Sequence, residues 1–489
     1  MLKSSGPESA KRRRRNDVPI TPALCAAYTT TSALACANRS WPLAHKANSS
    51  FRCPSVTFMK YSLTKYSLAC FASVCCIVLA GAPGESDWPG WRGPHRDDLS
   101  TASGLLRQWP QDGPPLGWQA HGLGAGFSSL AIAGNRIYTM GDRSDGQYVL
   151  ALNLADGKTV WATRIGDAWD DDSAPGPRGT PTVDGDSVFA IGTEGEVVCL
   201  NASSGEMRWQ KSMVRDYNGK MMSDWKFSES PLVDGDKLVF TPGSFGALLA
   251  AVDKHTGKDI WRAEGGARVG TAGSNGAGYS SIVISEGAGV RQYVQLAGRG
   301  LFGVSAQDGK VLWNYNRIAN DVANIATPVV RGDYVFASTG YGTGSVLLKV
   351  ERTAEGVAAK QVYFLEARTF QNHHGGFILI GDYLYGGQGH NNGFPTCIEF
   401  LTGKVKWGGD IRPEGSSGSA AVGYADGHLY FRYQNGMMKL IESSPDGYKE
   451  TGSFRIPGVR LPSWSHPVIL DGKLYLREQD TLFCYNVRG

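Results

Sequence analysis

Cysteine is scarce beyond the N-terminus: of nine in all, only Cys199, Cys397 and Cys484 lie past residue 76. Three thiols over so long a stretch exclude a disulfide-stapled scaffold. With no C-x-x-C-H motif, a covalently attached haem is excluded too. No run of 18 apolar residues occurs. The longest, at 68–82 (LACFASVCCIVLAGA), has fifteen, short of the roughly 20 a membrane span needs. No H-x-x-x-H spacing occurs, which argues against a zinc site. Glycine is almost missing from the first 80 residues, where Gly6 stands alone and 63 of the 64 follow later. Acidic residues are as rare there, Glu8 and Asp17 against eleven lysines and arginines. The rest of the chain has 38 basic and 43 acidic side chains. The formal charge of +4 therefore belongs to the N-terminus, and the mildly acidic remainder disfavours a nucleic-acid partner.

Residues 1–58 lack apolar periodicity, are rich in Ser, Thr, Ala and Pro, and carry a basic run at 11–15. Such a segment cannot build a core and is expected to be disordered. The character changes at Met59: a basic start with Lys60 and Lys65, then the fifteen-residue apolar run with small residues at its end. This is the form of a secretory leader over 59–80. A leader placed so far inside a chain suggests that translation starts at Met59. The adjacent pair Cys75-Cys76 falls within it. The expected location is periplasmic or extracellular, with no transmembrane span left after cleavage.

What the remainder has in abundance is a repeat. A glycine followed four residues later by tryptophan recurs at Gly157/Trp161, Gly205/Trp209, Gly257/Trp261, Gly309/Trp313 and Gly403/Trp407. A second phrase, two short apolar runs joined by Asp-Gly or Gly-Asp, recurs from Pro181, Pro231, Pro328, Phe377 and Pro467, as in Pro231-Leu-Val-Asp-Gly-Asp-Lys-Leu-Val-Phe. Asp-Gly reaches the positive φ of tight hairpins, and the Val, Leu, Phe and Tyr around it suit strands. Each unit of about 45 residues reads as a four-stranded antiparallel sheet. A unit this short must stack with its neighbours, as propeller blades do. The last unit, 463–487, ends before its Trp strand, while Leu116-Gly117-Trp118-Gln119 is a Trp strand without a blade. Joined, they complete one blade and remove the open sheet edge.

The expected fold is all-β: an eight-bladed propeller over 81–489, its last blade closed by an N-terminal strand. The blades are placed at 127–166, 179–213, 229–265, 279–318, 325–368, 373–411, 418–458, and 463–487 with 115–120. Cys199, Cys397 and Cys484 take the third-strand slot held elsewhere by Ala151, Ala251 and Gly303. They read as small buried residues in non-adjacent blades, hence as free thiols. Trp118, Trp161, Trp209, Trp261, Trp313 and Trp407 read as packing residues between blades rather than as ligand platforms.

With these residues in view, the repeat (Ala251-Val-Asp-Lys-His-Thr-Gly-Lys-Asp-Ile-Trp261 and its sisters) resembles that of the pyrroloquinoline-quinone (PQQ) type propellers. The phrases Trp88-Pro-Gly-Trp-Arg-Gly-Pro94, Asn372-His-His-Gly-Gly376 and Gly389-His-Asn-Asn-Gly393 resemble an exported bacterial subgroup often labelled polyvinyl-alcohol-dehydrogenase-like. The chain is also similar to the propeller of the outer-membrane barrel-assembly lipoprotein. The resemblance implies the propeller fold, with Trp docking between blades. It leaves two activities open, because the class holds both quinone-dependent alcohol dehydrogenases and cofactor-free proteins. Many of the former carry a vicinal disulfide, which this chain lacks outside its leader.

Quinone-dependent alcohol oxidation needs a base, a cation at the quinone carbonyl, and flat groups over the ring. Candidate groups stand where inner strands begin near the axis. If PQQ binds, Arg178 is expected on its carboxylates or carbonyl, with Trp464 or Tyr279 over the ring. Glu229 is then the catalytic residue, and holds calcium together with Asn324. His373, His374, His390, Asn391, Asn392 and His466 are expected at the channel mouth. The bland alternative is that all of these cap strands and bind water. The run 169–172 (WDDD) could hold calcium but reads more simply as a solvated loop. The function expected is an exported, monomeric module binding an unidentified protein or small molecule at the channel mouth. The alternative is a PQQ-dependent alcohol or sugar dehydrogenase.

Overall fold

The computed structural model describes residues 87–171, 173–265 and 270–489. The leader at 59–80 and the segment 1–58 lie outside the described residues. The described chain forms eight four-stranded antiparallel sheets in a ring, an eight-bladed β-propeller. Blade 1 is Ala131–Ala133, Arg136–Arg143, Gly146–Asn153 and Thr159–Gly166, in chain order from axis to rim. Blades 2 to 7 repeat this order, with innermost strands Thr182–Asp184, Leu232–Asp234, Val283–Ser285, Val329–Arg331, Phe377–Ile380 and Ala420–Ala425. Blade 8 takes Val468–Leu470, Lys473–Glu478 and Thr481–Asn486 from the C-terminus and its rim strand, Leu116–Ala120, from the N-terminus. Helix is confined to one five-residue turn, Met213–Tyr217, and one short 3-10 turn among the described residues.

The hairpins form for the expected reason. Gly185, Gly235, Gly332 and Gly381 hold φ between +57° and +58° between first and second strands, where a Cβ is disfavoured. The repeated Trp occupies one register position. It stands opposite the third-strand slot as Ala151↔Trp161, Cys199↔Trp209, Ala251↔Trp261, Gly303↔Trp313, Cys397↔Trp407 and Cys484↔Trp118. At each pair the register slips by one residue, a bulge on the rim strand that twists the exposed edge away from edge-to-edge pairing. All three thiols are buried and free.

From that position the ring leans onto the next blade. A Cβ on Gly157 would come 2.6 Å from the Trp118 ring, one on Gly205 2.7 Å from Trp161, and one on Gly257 3.0 Å from Trp209. The Trp161 and Trp209 indoles donate to the carbonyls of Ala202 and Lys254 across the same boundary. Blade 5 carries Tyr363 here, whose hydroxyl donates to Phe400 O. Its third and fourth strands, Gly344–Thr353 and Gly356–Glu366, run straight through the place of the repeat glycine. Trp313, facing that blade, folds back over Gly303 of its own sheet and donates to Gln292 at 2.6 Å.

The core lies between blades. One apolar cluster joins blades 1 and 2 through Met140, Ala151, Val188 and Leu200; another joins blades 7 and 8 through Tyr430, Leu440, Leu474 and Phe483. The closing blade is also fixed by two buried arginines. Arg432 reaches from blade 7 to Ser463, Ser465 O and the Glu478 carboxylate, the last at 2.8 Å. Arg477 reaches from blade 8 to Thr139 at 2.8 Å and to Met140 O of blade 1.

The axis is occupied by the N-terminal segment. Trp88 pairs with Ile132 of blade 1, and Pro89 O accepts from Val183 N of blade 2. Arg96 donates to Ser230 O and Pro231 O, leading into blade 3, and to Ile282 O, leading into blade 4. Trp91 Nε1 donates to Thr327 before blade 5, and Arg92 Nη2 to Phe377 O of blade 6. Leu99 pairs with Tyr424 of blade 7, and Asp98 meets His466 before blade 8. Thirteen consecutive residues, 88–100, thus touch every blade. Arg92, Arg96 and Asp98 hold φ near +60°, which costs a side-chain-bearing residue about 1–2 kcal/mol. Their anchored side chains over-determine that conformation. No helix among the described residues is long and apolar enough to cross a membrane.

Candidate functional site

With the axis filled at the level of the inner strands, the space beside their starting ends becomes a cavity of about 330 Å³, within the range of small-molecule sites. Trp91 and Arg92 of the axial segment line it together with Phe127, Arg178, Trp225, Tyr279, Tyr341, His373, His374, Trp464 and His466. No aspartate or glutamate is among its lining residues.

The rings are held individually. Trp464 lies 4.8 Å from Phe127 and 4.7 Å from His374, its indole donating to Gln434. Trp91 packs 4.4 Å from His466, whose Nδ1 stands 3.1 Å from Asp98 Oδ2. The Tyr279 hydroxyl pairs with Ser223 at 2.7 Å and accepts from Trp225 N. Arg178 rests over Trp169 at 4.4 Å and Phe127 at 5.5 Å, an arrangement favourable to a cation. Among the described residues it donates only to the carbonyls of Ala174 and Gly176. Burial lowers it to about 10, against the raising pull of Asp171, Tyr279 and Asp142.

Burial keeps the His373 and His374 imidazoles neutral. His373 bonds Ser419 and Tyr341 at 2.9 and 3.0 Å, and burial, with the neighbouring His390, lowers it to about 3. Burial also holds His374 well below the ordinary histidine value, and its Nε2 has no hydrogen-bond partner among the described residues. His390, Asn391 and Asn392 sit on an exposed turn of blade 6 beside the cavity rather than in its wall. The His390 ring touches Tyr341 and His373.

Glu229 and Asn324 depart from the sequence expectation. Glu229 is buried and absent from the cavity wall; its carboxyl accepts from Thr241 N, Thr241 Oγ1 and Gln295 Nε2. Asn324 is fully buried, its amide donating to Ala297 O and Gly298 O and accepting from Asn320 N. Both act as ties between loop and strand, with their oxygens already engaged. Among the described residues no group of three His, Cys, Asp or Glu is placed to hold a metal. In the 169–172 run, Asp171 caps its own turn by accepting from Ser173 and Ala174; Asp172 lies outside the described residues. The flat rings and the two guanidiniums, of Arg92 and Arg178, suit part of a quinone site. The carboxylate ligands that calcium would need are not among the described wall residues, so the residues present do not fit PQQ with calcium.

The structure brings Arg178, Tyr279, Trp464, His373, His374 and His466 to one cavity. Sequence reasoning missed Trp91, Arg92, Phe127, Trp225 and Tyr341. The signal for the first two was present in Trp88-Pro-Gly-Trp91-Arg-Gly-Pro94, a dense aromatic and turn-forming phrase outside every blade.

Fold and axial cavity together define a propeller of the PQQ-repeat class. The family model described as outer membrane protein assembly factor BamB (PQQ_2) matches residues 145–409, more than half of the chain. The chain belongs to that family. It is 32% identical over 125 residues to the outer membrane protein assembly factor BamB of Salmonella typhimurium, a match spanning 24% of this chain and 31% of that relative. The chain thus spans about a third of the length of the curated relative it matches. Among solved structures it is similar to a quinohemoprotein alcohol dehydrogenase of Pseudomonas putida, with a TM-score of 0.55 at 13% identity, covering 84% of this chain and 83% of that one. The quinohemoprotein alcohol dehydrogenase of Comamonas testosteroni gives 0.55 at 11%, covering 83% and 81%. At such identities the likeness is one of fold.

Proposed function

We propose that the protein is an exported propeller that binds a small, flat, largely apolar ligand in its axial cavity, without oxidising it. The observation that carries this reading is the composition of the wall: six large aromatic side chains from Trp91, Phe127, Trp225, Tyr279, Tyr341 and Trp464, and no carboxylate. Such a wall offers stacking surface and excludes water, but supplies no anionic base for removing an alcohol proton. Export rests on the leader-like segment 59–80.

The test uses ligand-observed NMR with indole and 2-naphthylmethanol on the full protein and on an Ala326→Trp variant, which fills the cavity. Saturable binding that the variant loses, with its melting temperature kept near wild type, supports the reading. Alcohol-dependent dye reduction after addition of PQQ and Ca²⁺, abolished in Glu229→Gln, would replace it with the dehydrogenase.

A protein partner is the second reading, in line with the assembly role named for the BamB relative. Phe245 is 71% exposed and Trp225 37%, in connections that leave their blades at the same end as the cavity mouth. Loss of partner capture in a Phe245→Ser variant, with the cavity still binding indole, would favour it.

A further inference from the structure

The cavity wall holds an unanswered donor. Arg92 is 2% exposed; its Nε meets Asp98 Oδ2 at 2.6 Å and its Nη2 donates to Phe377 O at 2.6 Å, but its Nη1 has no partner among the described residues. A buried donor of a charged group left unpaired is costly, so the site is complete only with an acceptor beside it. The room is there. Gly376 has no side chain, a Cβ on it would lie about 4.0 Å from Nη1, and Gly375 and Gly376 both line the cavity. Arg178 adds a second guanidinium to the same wall, with no carboxylate in ion-pair reach among the described residues. Arg92 is paired with Asp98, burial keeps His373 and His374 neutral, and the Arg178 guanidinium has no ion-pair partner among the described residues.

We infer that the cavity selects a ring-bearing monoanion, a carboxylate or sulfonate on a flat apolar body, with the anionic group against the Arg92 and Arg178 guanidiniums and the body among the rings of Trp91, Phe127 and Trp464. This rests on the ligand-binding reading above and adds a charge and an orientation to it. The axial segment then has two roles, because the residue that blocks the channel also supplies a donor to the ligand. Charge-assisted hydrogen bonds are roughly twice as strong as neutral ones and gain further where water is excluded.

The test compares 2-naphthoate with its neutral isostere 2-naphthamide by titration calorimetry on the full protein. The expected result is one site per chain and naphthoate preferred by at least about tenfold, the order expected of one charge-assisted hydrogen bond. That preference should fall toward unity in Arg178→Gln, whose present donors go only to carbonyls of its own loop. Arg92→Gln is the second variant, with its melting curve as the folding control. Equal affinity for the two compounds would overturn the anion inference while leaving ligand binding intact. A preference unchanged in Arg178→Gln and in a folded Arg92→Gln would overturn it as well. Absence of binding by either compound at millimolar concentration would contradict both readings.

Discussion

Glu229 shows how burial decides a single residue's chemistry. Three donors and the nearby Arg96 favour its charged form, but desolvation outweighs them and pushes the carboxyl up to about 8. Folded protein therefore binds a proton that unfolded chain has released between about pH 4.5 and 8, and stability falls as pH rises through that window. Glu229→Gln should become progressively more stable than wild type from pH 5 to pH 8.5, by up to a few kcal/mol, read from urea melts at each pH. His373 works in the opposite sense, its stability contribution being lost as pH falls below the ordinary histidine range toward about 3. Burial likewise pushes Cys199, Cys397 and Cys484 up to about 11, which leaves almost no thiolate at neutral pH. Iodoacetamide should leave all three unmodified in native protein and alkylate all three in denaturant, as read by peptide mass mapping. Placement that depends on strand order was legible at this scale: Arg178, Tyr279 and Trp464 precede inner strands and line the axial cavity. Glu229 and Asn324 precede inner strands too, but a sequence does not show that their oxygens are already taken.

At the scale of elements, the blade boundary is a ring on a glycine. The Gly-x-x-x-Trp phrase was visible as a repeat because both of its residues serve one contact. The Trp of one blade covers the glycine of the next, where φ is near +70° and no side chain fits. Gly205→Ala combines a positive-φ penalty of about 1–2 kcal/mol with a Cβ 2.7 Å from the Trp161 ring. It should lower stability more than Gly185→Ala, where φ is also positive but nothing lies within 4 Å. Trp161→Ala should cost roughly 3 kcal/mol, and Gly205→Ala on that background should cost less than it does in wild type, with the Thr163 Oγ1 contact at 2.7 Å remaining. A double-mutant cycle in urea checks the coupling. Blade 5 was harder to read because its long hairpin through Thr353 and Gly356 replaces the repeat glycine. The altered seat of Trp313 follows from that substitution, and local pattern could not foretell it.

For the whole molecule, closure depends on the two chain ends meeting. The rim strand Leu116–Ala120 completes blade 8, and buried Arg432 and Arg477 fix that blade on both sides. Glu478→Ala would strip Arg432 of its carboxylate in a fully buried place; loss of one partner of such a pair costs about 3–5 kcal/mol. A chemical-denaturation midpoint should fall accordingly, with the cooperative transition retained. The ring and its closing strand were readable from incomplete units at the two ends. The axial filling was not, because 88–100 has no repeat and makes its contacts with residues up to several hundred positions away. Those contacts turn an open channel into a cavity with a floor, so both functional inferences depend on them. Native-state hydrogen exchange with mass spectrometry on peptides spanning 87–120 tests this most directly. Seating in the axis predicts protection of the Trp88, Ser100 and rim-strand amides comparable to the inner strands at 131–133 and 468–470, and exchange within seconds in 87–100 while the blades stay protected would contradict it.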